Sequence, residues 1–131
     1  MERLYDKYMT RVYISTTNLQ ESSALRLLLL NLKMEIVGES SDWFTTVVQI
    51  PHSQVELLLV DWSVLPINSP NTALSELRKA CPSALVVILI SHLDSQKQAA
   101  LSIDADMLIR KDETPKRMAE RLQAIAEGIP A

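Results

Sequence analysis

Short apolar runs alternate with segments of helical spacing along this chain, and that alternation constrains its fold more than any other feature. Residues 12–15 are mostly β-branched or aromatic, a composition that suits a strand. Asn18 then opens a helix, with Glu21 three residues on at the spacing of a capping box. Ala24, Leu25, Leu28, Leu29 and Leu32 recur there at the helical period. Residues 34–39 read as a second strand, and residues 41–49 as a second helix stopped by Pro51. The β-branched stretch 45–48 works against that helix, because side chains branched at Cβ lose rotamer freedom in it. Residues 56–60 form a near-continuous apolar strand. A loop with Pro66 and Pro70 follows, then a helix over about 72–80 that ends before Pro82. Residues 84–90 are the most apolar strand. Asp94 or Ser95 caps a helix to about Ile103, and residues 106–109 form a short fifth strand. Thr114 caps a last helix, with Pro115 at its first position and Gly128 past its end.

Continuous apolar character, as opposed to alternation, marks strands covered on both faces of a parallel sheet. Five strand–helix units therefore predict an α/β fold, with right-handed crossovers placing helices on both faces. The chain of 131 residues suits one domain. Residues 1–10 read as an N-terminal extension and 11–129 as the domain. No linker, repeat or low-complexity tract interrupts it.

Composition excludes several functions. The net charge is −3 and no basic block exists to track a phosphate backbone, so no nucleic-acid partner is expected. Two glycines, Gly38 and Gly128, are too few for a phosphate-cradling loop or a dinucleotide fingerprint. The single cysteine, Cys81, rules out an intrachain disulfide and a cysteine zinc cage. The longest apolar runs fall far short of a membrane span, and the N-terminus lacks the apolar core of a secretory signal. A cytoplasmic location with no membrane partner is the default expectation. His52 and His92, with Ser91 and Asp94, make no hydrolase: there is no nucleophile elbow, and adjacent Ser91 and His92 diverge along an extended segment.

In open α/β sheets a site lies beyond the carboxyl ends of the strands. Thr16, Thr17 and Asn18 follow the first strand, and Asp61, Trp62 and Ser63 the third. Ser91 and His92 follow the fourth, and Arg110 and Lys111 the fifth. A carboxylate at the tip of a buried strand needs a cation or water. Lys111 is the natural partner of Asp61, with the Ser91 hydroxyl between them. A carboxylate, a hydroxyl and an ammonium in one crevice suit the acceptance of a phosphoryl group: the carboxylate attacks, and the other two hold the phosphoryl oxygens. Trp62, beside this crevice, is the best candidate for an exposed contact residue.

At these residues the chain resembles the response-regulator receiver domains of bacterial two-component signalling, over about residues 11–127. Asp61 stands where that family keeps its phosphoacceptor. Ser91, thirty residues later, matches its hydroxyl position, and Lys111, twenty further on, its lysine. The resemblance implies a flavodoxin-like, doubly wound (βα)5 three-layer sandwich with parallel strand order 2-1-3-4-5. It implies a histidine kinase or downstream effector as protein partner. It also implies a homodimer through the face of the fourth helix, fifth strand and last helix.

The departures are informative. The family carries an acidic pair after its first strand, which with the phosphoacceptor binds magnesium; here those positions are Thr16 and Thr17. Asp61 is then the only obvious metal ligand, Mg²⁺ binding is expected to be weak, and no other cofactor is implied. Glu39, Asp42, Asp94 and Asp112 are the loop acids available as substitutes, and they are expected to serve as caps or solvated charges instead. Leu108 replaces the usual aromatic reporter of phosphorylation, Pro66 falls one residue late, and His92 is bulky where a small residue is usual. The expectation is a non-enzymatic, stand-alone receiver-like module acting by protein contact, with phosphorylation impaired or lost. The alternative is a working response regulator phosphorylated on Asp61 by a histidine kinase.

Overall fold

The computed structural model describes residues 9–66, 70–91 and 105–128. The elements run β1 (Arg11–Ser15), α1 (Leu19–Asn31), β2 (Glu35–Ser40), α2 (Trp43–Gln49) and a 3-10 turn (Ile50–His52). Then come β3 (Leu57–Asp61), a second 3-10 turn (Trp62–Val64), α3 (Pro70–Ala80), β4 (Leu85–Ile90), β5 (Met107–Arg110) and α4 (Pro115–Glu127). The helix expected over 95–103 lies outside the described residues, as do His92, Asp94 and most of the N-terminal extension.

The five strands form one sheet in the order β2-β1-β3-β4-β5, every neighbouring pair parallel. Successive residues of the inner strands point to opposite faces, and each face has its own core. Tyr13, Leu58, Val60, Val86, Ile88 and Ile90 pack with Leu74 and Leu77 of α3 and with Ile50. Val12, Ile14, Leu57, Leu59, Val87, Leu89 and Ile109 pack with Leu25 and Leu29 of α1 and Leu122 of α4. The apolar runs of β3 and β4 are thus buried on both sides, each large side chain contributing about 1.5–3 kcal/mol of transfer free energy. The result is the three-layer sandwich expected.

Several boundaries differ from expectation by one or two residues. β2 runs one residue further and carries Gly38 inside it. A register shift at Val12/Tyr13 sets Tyr13 opposite Gly38, where a Cβ would come within 2.6 Å of the tyrosine ring. Glycine is there because the ring lies on its backbone. β3 extends through Asp61 itself. α3 begins at Pro70, two residues early. α2 forms despite its β-branched residues: Asp42 caps it by accepting from the Thr45 amide at 2.8 Å, and the Thr46 hydroxyl donates back to the Asp42 carbonyl at 2.8 Å. The threonines find polar partners within the helix and at its entry, which offsets their propensity.

Register brings the strand tips together. Asp61 lies opposite Leu89 of β4, and the amide of Lys111 continues the β5 pairing by donating to the Ile90 carbonyl at 2.9 Å.

Candidate functional site

Asp61 ends β3 fully buried. One of its oxygens, Oδ1, accepts the Ser63 amide at 2.9 Å, so the carboxylate caps the 3-10 turn that follows. The other, Oδ2, contacts the Lys111 ammonium. Lys111 extends from the tip of β5 and is about one-third exposed (36%). The expected pairing of Asp61 with Lys111 is present.

A second carboxylate stands there too. Glu21 Oε1 lies 3.2 Å from the Lys111 ammonium, and its Oε2 accepts from the buried Thr16 hydroxyl. The capping box read from the sequence is half made. Asn18 accepts the Glu21 amide at 3.0 Å, but the Glu21 side chain does not return to the Asn18 amide, which donates to Thr16 Oγ1 at 3.2 Å instead. Glu21 is thereby released from capping and turned toward the strand tips. The expectation of a single anionic side chain in the crevice is corrected: among the described residues it holds two carboxylates and one ammonium.

The three groups perturb one another. Burial and a hydrogen bond to Asp61 raise the Glu21 pKa above the ordinary glutamate value, while Thr16 and Lys111 pull it back in part. Burial also works against charge on Asp61, but hydrogen bonds from Glu21, Lys111 and Ser63 together outweigh it and hold its pKa below the usual value. Burial disfavours the Lys111 cation, and the two carboxylates more than compensate, raising its pKa.

Thr16 and Thr17 occupy the two positions after β1. The Thr16 amide extends the pairing with β2 by donating to the Ser40 carbonyl at 3.1 Å, and the exposed Thr17 hydroxyl lies 3.0 Å from that of Ser63. Beneath them the buried Ser15 hydroxyl meets Thr46 Oγ1 at 2.7 Å, and Thr46 also meets Ser40. Ser91 follows β4 directly, half-buried, at the same end of the sheet. Of the substitute acids, the three among the described residues are engaged elsewhere. Glu39 pairs with Arg26 and accepts from Ser22. Asp42 caps α2, and Asp112 pairs with Arg110 at 2.8 Å. Trp62, expected to be exposed, is half-buried and packs on the α3-side core. His52 sits in the 3-10 turn after α2. Cys81 is half-buried against the Val55 carbonyl, and burial raises its thiol pKa.

These residues do not fit a magnesium ion. The Lys111 ammonium already engages both carboxylates, the threonines after β1 bring no charge, and no cluster of three acidic or imidazole ligands exists among the described residues. A hard cation would have to displace an internal one.

Glu21 could have been found in the sequence by one signal. It lies in the first turn of the helix that starts at the carboxyl edge of the sheet, only four residues after Thr17.

No family model matches the sequence, and no curated protein matches it either. Solved structures match the fold. The isolated receiver domain of RcsB from Salmonella enterica serovar Typhimurium, with a phosphomimetic BeF3⁻, superposes at TM-score 0.80 and 19% identity, over 94% of this chain and 92% of that one. A CheY-like receiver domain protein from Methanospirillum hungatei JF-1 does so at TM-score 0.77 and 16% identity, over 92% and 95%. The longer RcsB response regulator of Salmonella typhimurium matches at TM-score 0.80 and 19% identity, and this chain spans 62% of its length. The chain has the fold of response-regulator receiver domains, a flavodoxin-like α/β architecture. Among the described residues no helix is long and apolar enough to cross a membrane.

Proposed function

We propose that the chain is a receiver-like signal-transduction module that works by protein–protein contact, with metal-dependent phosphorylation of Asp61 impaired or lost. One observation carries this: the Lys111 ammonium is clasped by Asp61 and Glu21, where a receiver needs room for a divalent cation and a phosphoryl group. Phosphoryl transfer depends on positive charge placed to neutralise the transferring group. Here the available cation is tied to the acceptor, and neutral Thr16 and Thr17 stand after β1. The module needs no cofactor and performs no chemistry of its own.

The partner is a protein, a histidine kinase, an effector or a second copy, engaged through the face of β5 and α4. RcsB is described as dimers bound to DNA. The net charge of −3 in this chain argues against direct nucleic-acid contact by this domain.

The working phospho-switch is the second reading. It is favoured by the lowered pKa of Asp61, which keeps the carboxylate ionised and nucleophilic. Incubation with acetyl phosphate and Mg²⁺ followed by intact-mass measurement separates the two. The expected result is no stoichiometric adduct; an adduct that disappears in Asp61→Asn establishes the phospho-switch instead.

A further inference from the structure

The outward face of α4 carries a self-complementary order of side chains. Lys116, Glu120, Gln123, Ala124 and Glu127 are exposed there, and Ala119 is half-buried. With Leu32, just past the end of α1, these six line a groove of about 540 Å³. The helical period sets them on one stripe, opposite the buried Leu122. Among the described residues Lys116, Glu120 and Glu127 enter no ion pair within the chain. The paired charges near α4, Arg121 with Glu113 and Arg110 with Asp112, lie to one side of the stripe, toward β5. On the other side α1 leaves Leu27 67% exposed, at the edge of a cavity shared with Pro115 and Met118 of α4. Exposed apolar side chains grouped beside a groove mark an interaction surface.

The stripe reads the same way from both ends. Lys116 and Glu127 stand equally far on either side of the point midway between Arg121 and Leu122. So do Ala119 and Ala124, and so do Glu120 and Gln123. A second α4 laid antiparallel about a two-fold axis at that point sets Lys116 against the partner's Glu127 and Glu120 against the partner's Gln123. Ala119 then meets the partner's Ala124. Two-fold symmetry makes each pair twice. Lys116 and Glu127 are about 16 Å apart along the helix, so ion pairs close both ends of the contact. The alanines fall between them, where helices approach to roughly 8–10 Å. A parallel copy would set Lys116 on the partner's Lys116, which is repulsive. A partner of another sequence requires no mirrored order.

We propose that the outward face of α4 is a homodimer interface, in which two copies pack antiparallel through Lys116–Glu127 ion pairs at the ends and Ala119–Ala124 contacts between them. Leu32 and Leu27 flank the contact from α1. A second copy is thus assigned to this face, and the side of α4 toward β5 is left to a kinase or effector. The contact does not depend on chemistry at Asp61, so it stands or falls separately from the signalling role.

Sedimentation velocity of the full chain over a concentration series tests it. Wild type is expected to reach twice the 14.7 kDa mass of one chain, with an association weakened by added salt. Lys116→Glu and Glu127→Lys each place two like-charged pairs in the contact. Either is expected to raise the dimer dissociation constant at least about tenfold. The double reversal restores opposite charges in exchanged positions and is expected to return to within about threefold of wild type. Arg117→Glu, an equal change of charge on the β5 side, is expected to leave the constant unchanged. Ala124→Arg puts a long side chain in mid-contact and is expected to abolish the dimer; it keeps the test open if a charge variant fails to fold, which circular dichroism reports. A wild-type monomer at every concentration overturns the proposal. So does a dimer indifferent to the single reversals or to Ala124→Arg, a double reversal that fails to rescue, or a dimer broken by Arg117→Glu.

Discussion

The ammonium of Lys111 reaches back over the tip of β4 to the carboxylate of Asp61, joining the ends of two strands that do not touch. Two strand spacings are roughly 9–10 Å, so the lysine lies nearly extended over the site. Its hold on Asp61 closes the carboxyl edge of the sheet from β3 to β5. Breaking that pair leaves a buried hydrogen-bonding environment without its charge. Lys111 retains water and Glu21, which softens the loss. Asp61→Ala is expected to cost about 1–3 kcal/mol, below the usual figure for a fully buried pair. Urea denaturation at neutral pH measures it, and a cost near zero would mean that the pair contributes nothing net.

The two carboxyls give stability opposite pH slopes. Asp61 is depressed, so its contribution is present above its unfolded pKa and is lost as pH falls through the folded value. Glu21 is raised, so its contribution is present below its unfolded pKa and is lost as pH rises through the folded value. Glu21→Gln removes the second outright and alters the first only through the contact of residue 21 with Asp61. Thermal melts of that variant are expected to show a steeper gain in relative stability with rising pH across the weakly acidic range. Parallel wild-type and variant curves would contradict this.

Thr46 is fully buried with its hydroxyl bonded to Ser15, Ser40 and the Asp42 carbonyl. Thr46→Val keeps the volume and strands those partners. The expected cost is about 1–3 kcal/mol by chemical denaturation, with α2 and the ends of β1 and β2 losing amide protection first.

Gly38→Ala places a methyl 2.6 Å from a Tyr13 ring carbon. The ring is buried, and its hydroxyl is held by Gln49 at 2.6 Å, so it has little freedom to retreat. A loss of about 1–3 kcal/mol is expected. A melting temperature equal to wild type would show that the ring can move.

Thr17→Asp puts a carboxylate at an exposed position beside Ser63. It adds a third carboxylate, one not engaged by Lys111, without burying it. Mg²⁺ titration followed by Trp62 fluorescence is expected to show at least about tenfold tighter binding than wild type, roughly 1.4 kcal/mol. Equal affinity would locate the obstacle in the Lys111 clasp alone.

The layers of this fold were legible because β3 and β4 are apolar without interruption, which only a sheet covered on both faces explains. Asp61 and Lys111 were legible because each ends a strand and their charges oppose. Glu21 was not, since its spacing from Asn18 already supplied a local role as a cap; only the three-dimensional path shows that Thr16 takes over the Asn18 amide and frees the side chain. Asp42, expected to serve as a cap or a solvated charge, is a cap. Its cap is what lets Thr45 and Thr46 enter a helix. Trp62 looked exposed by position, but the turn capped by Asp61 folds it onto the α3-side core.

The half-made cap at the start of α1 has a mechanical consequence. The first turn of that helix is fastened to the sheet by Ser22, which donates to Glu39 of β2, and by Glu21, which contacts Thr16 and the Lys111 ammonium at the strand tips. The entry of α1 and the ends of β1, β3 and β5 therefore share one set of polar contacts. Leu27 and Leu30, which face outward on that same helix, are thus carried by a helix whose entry is tied to the carboxyl edge of the sheet.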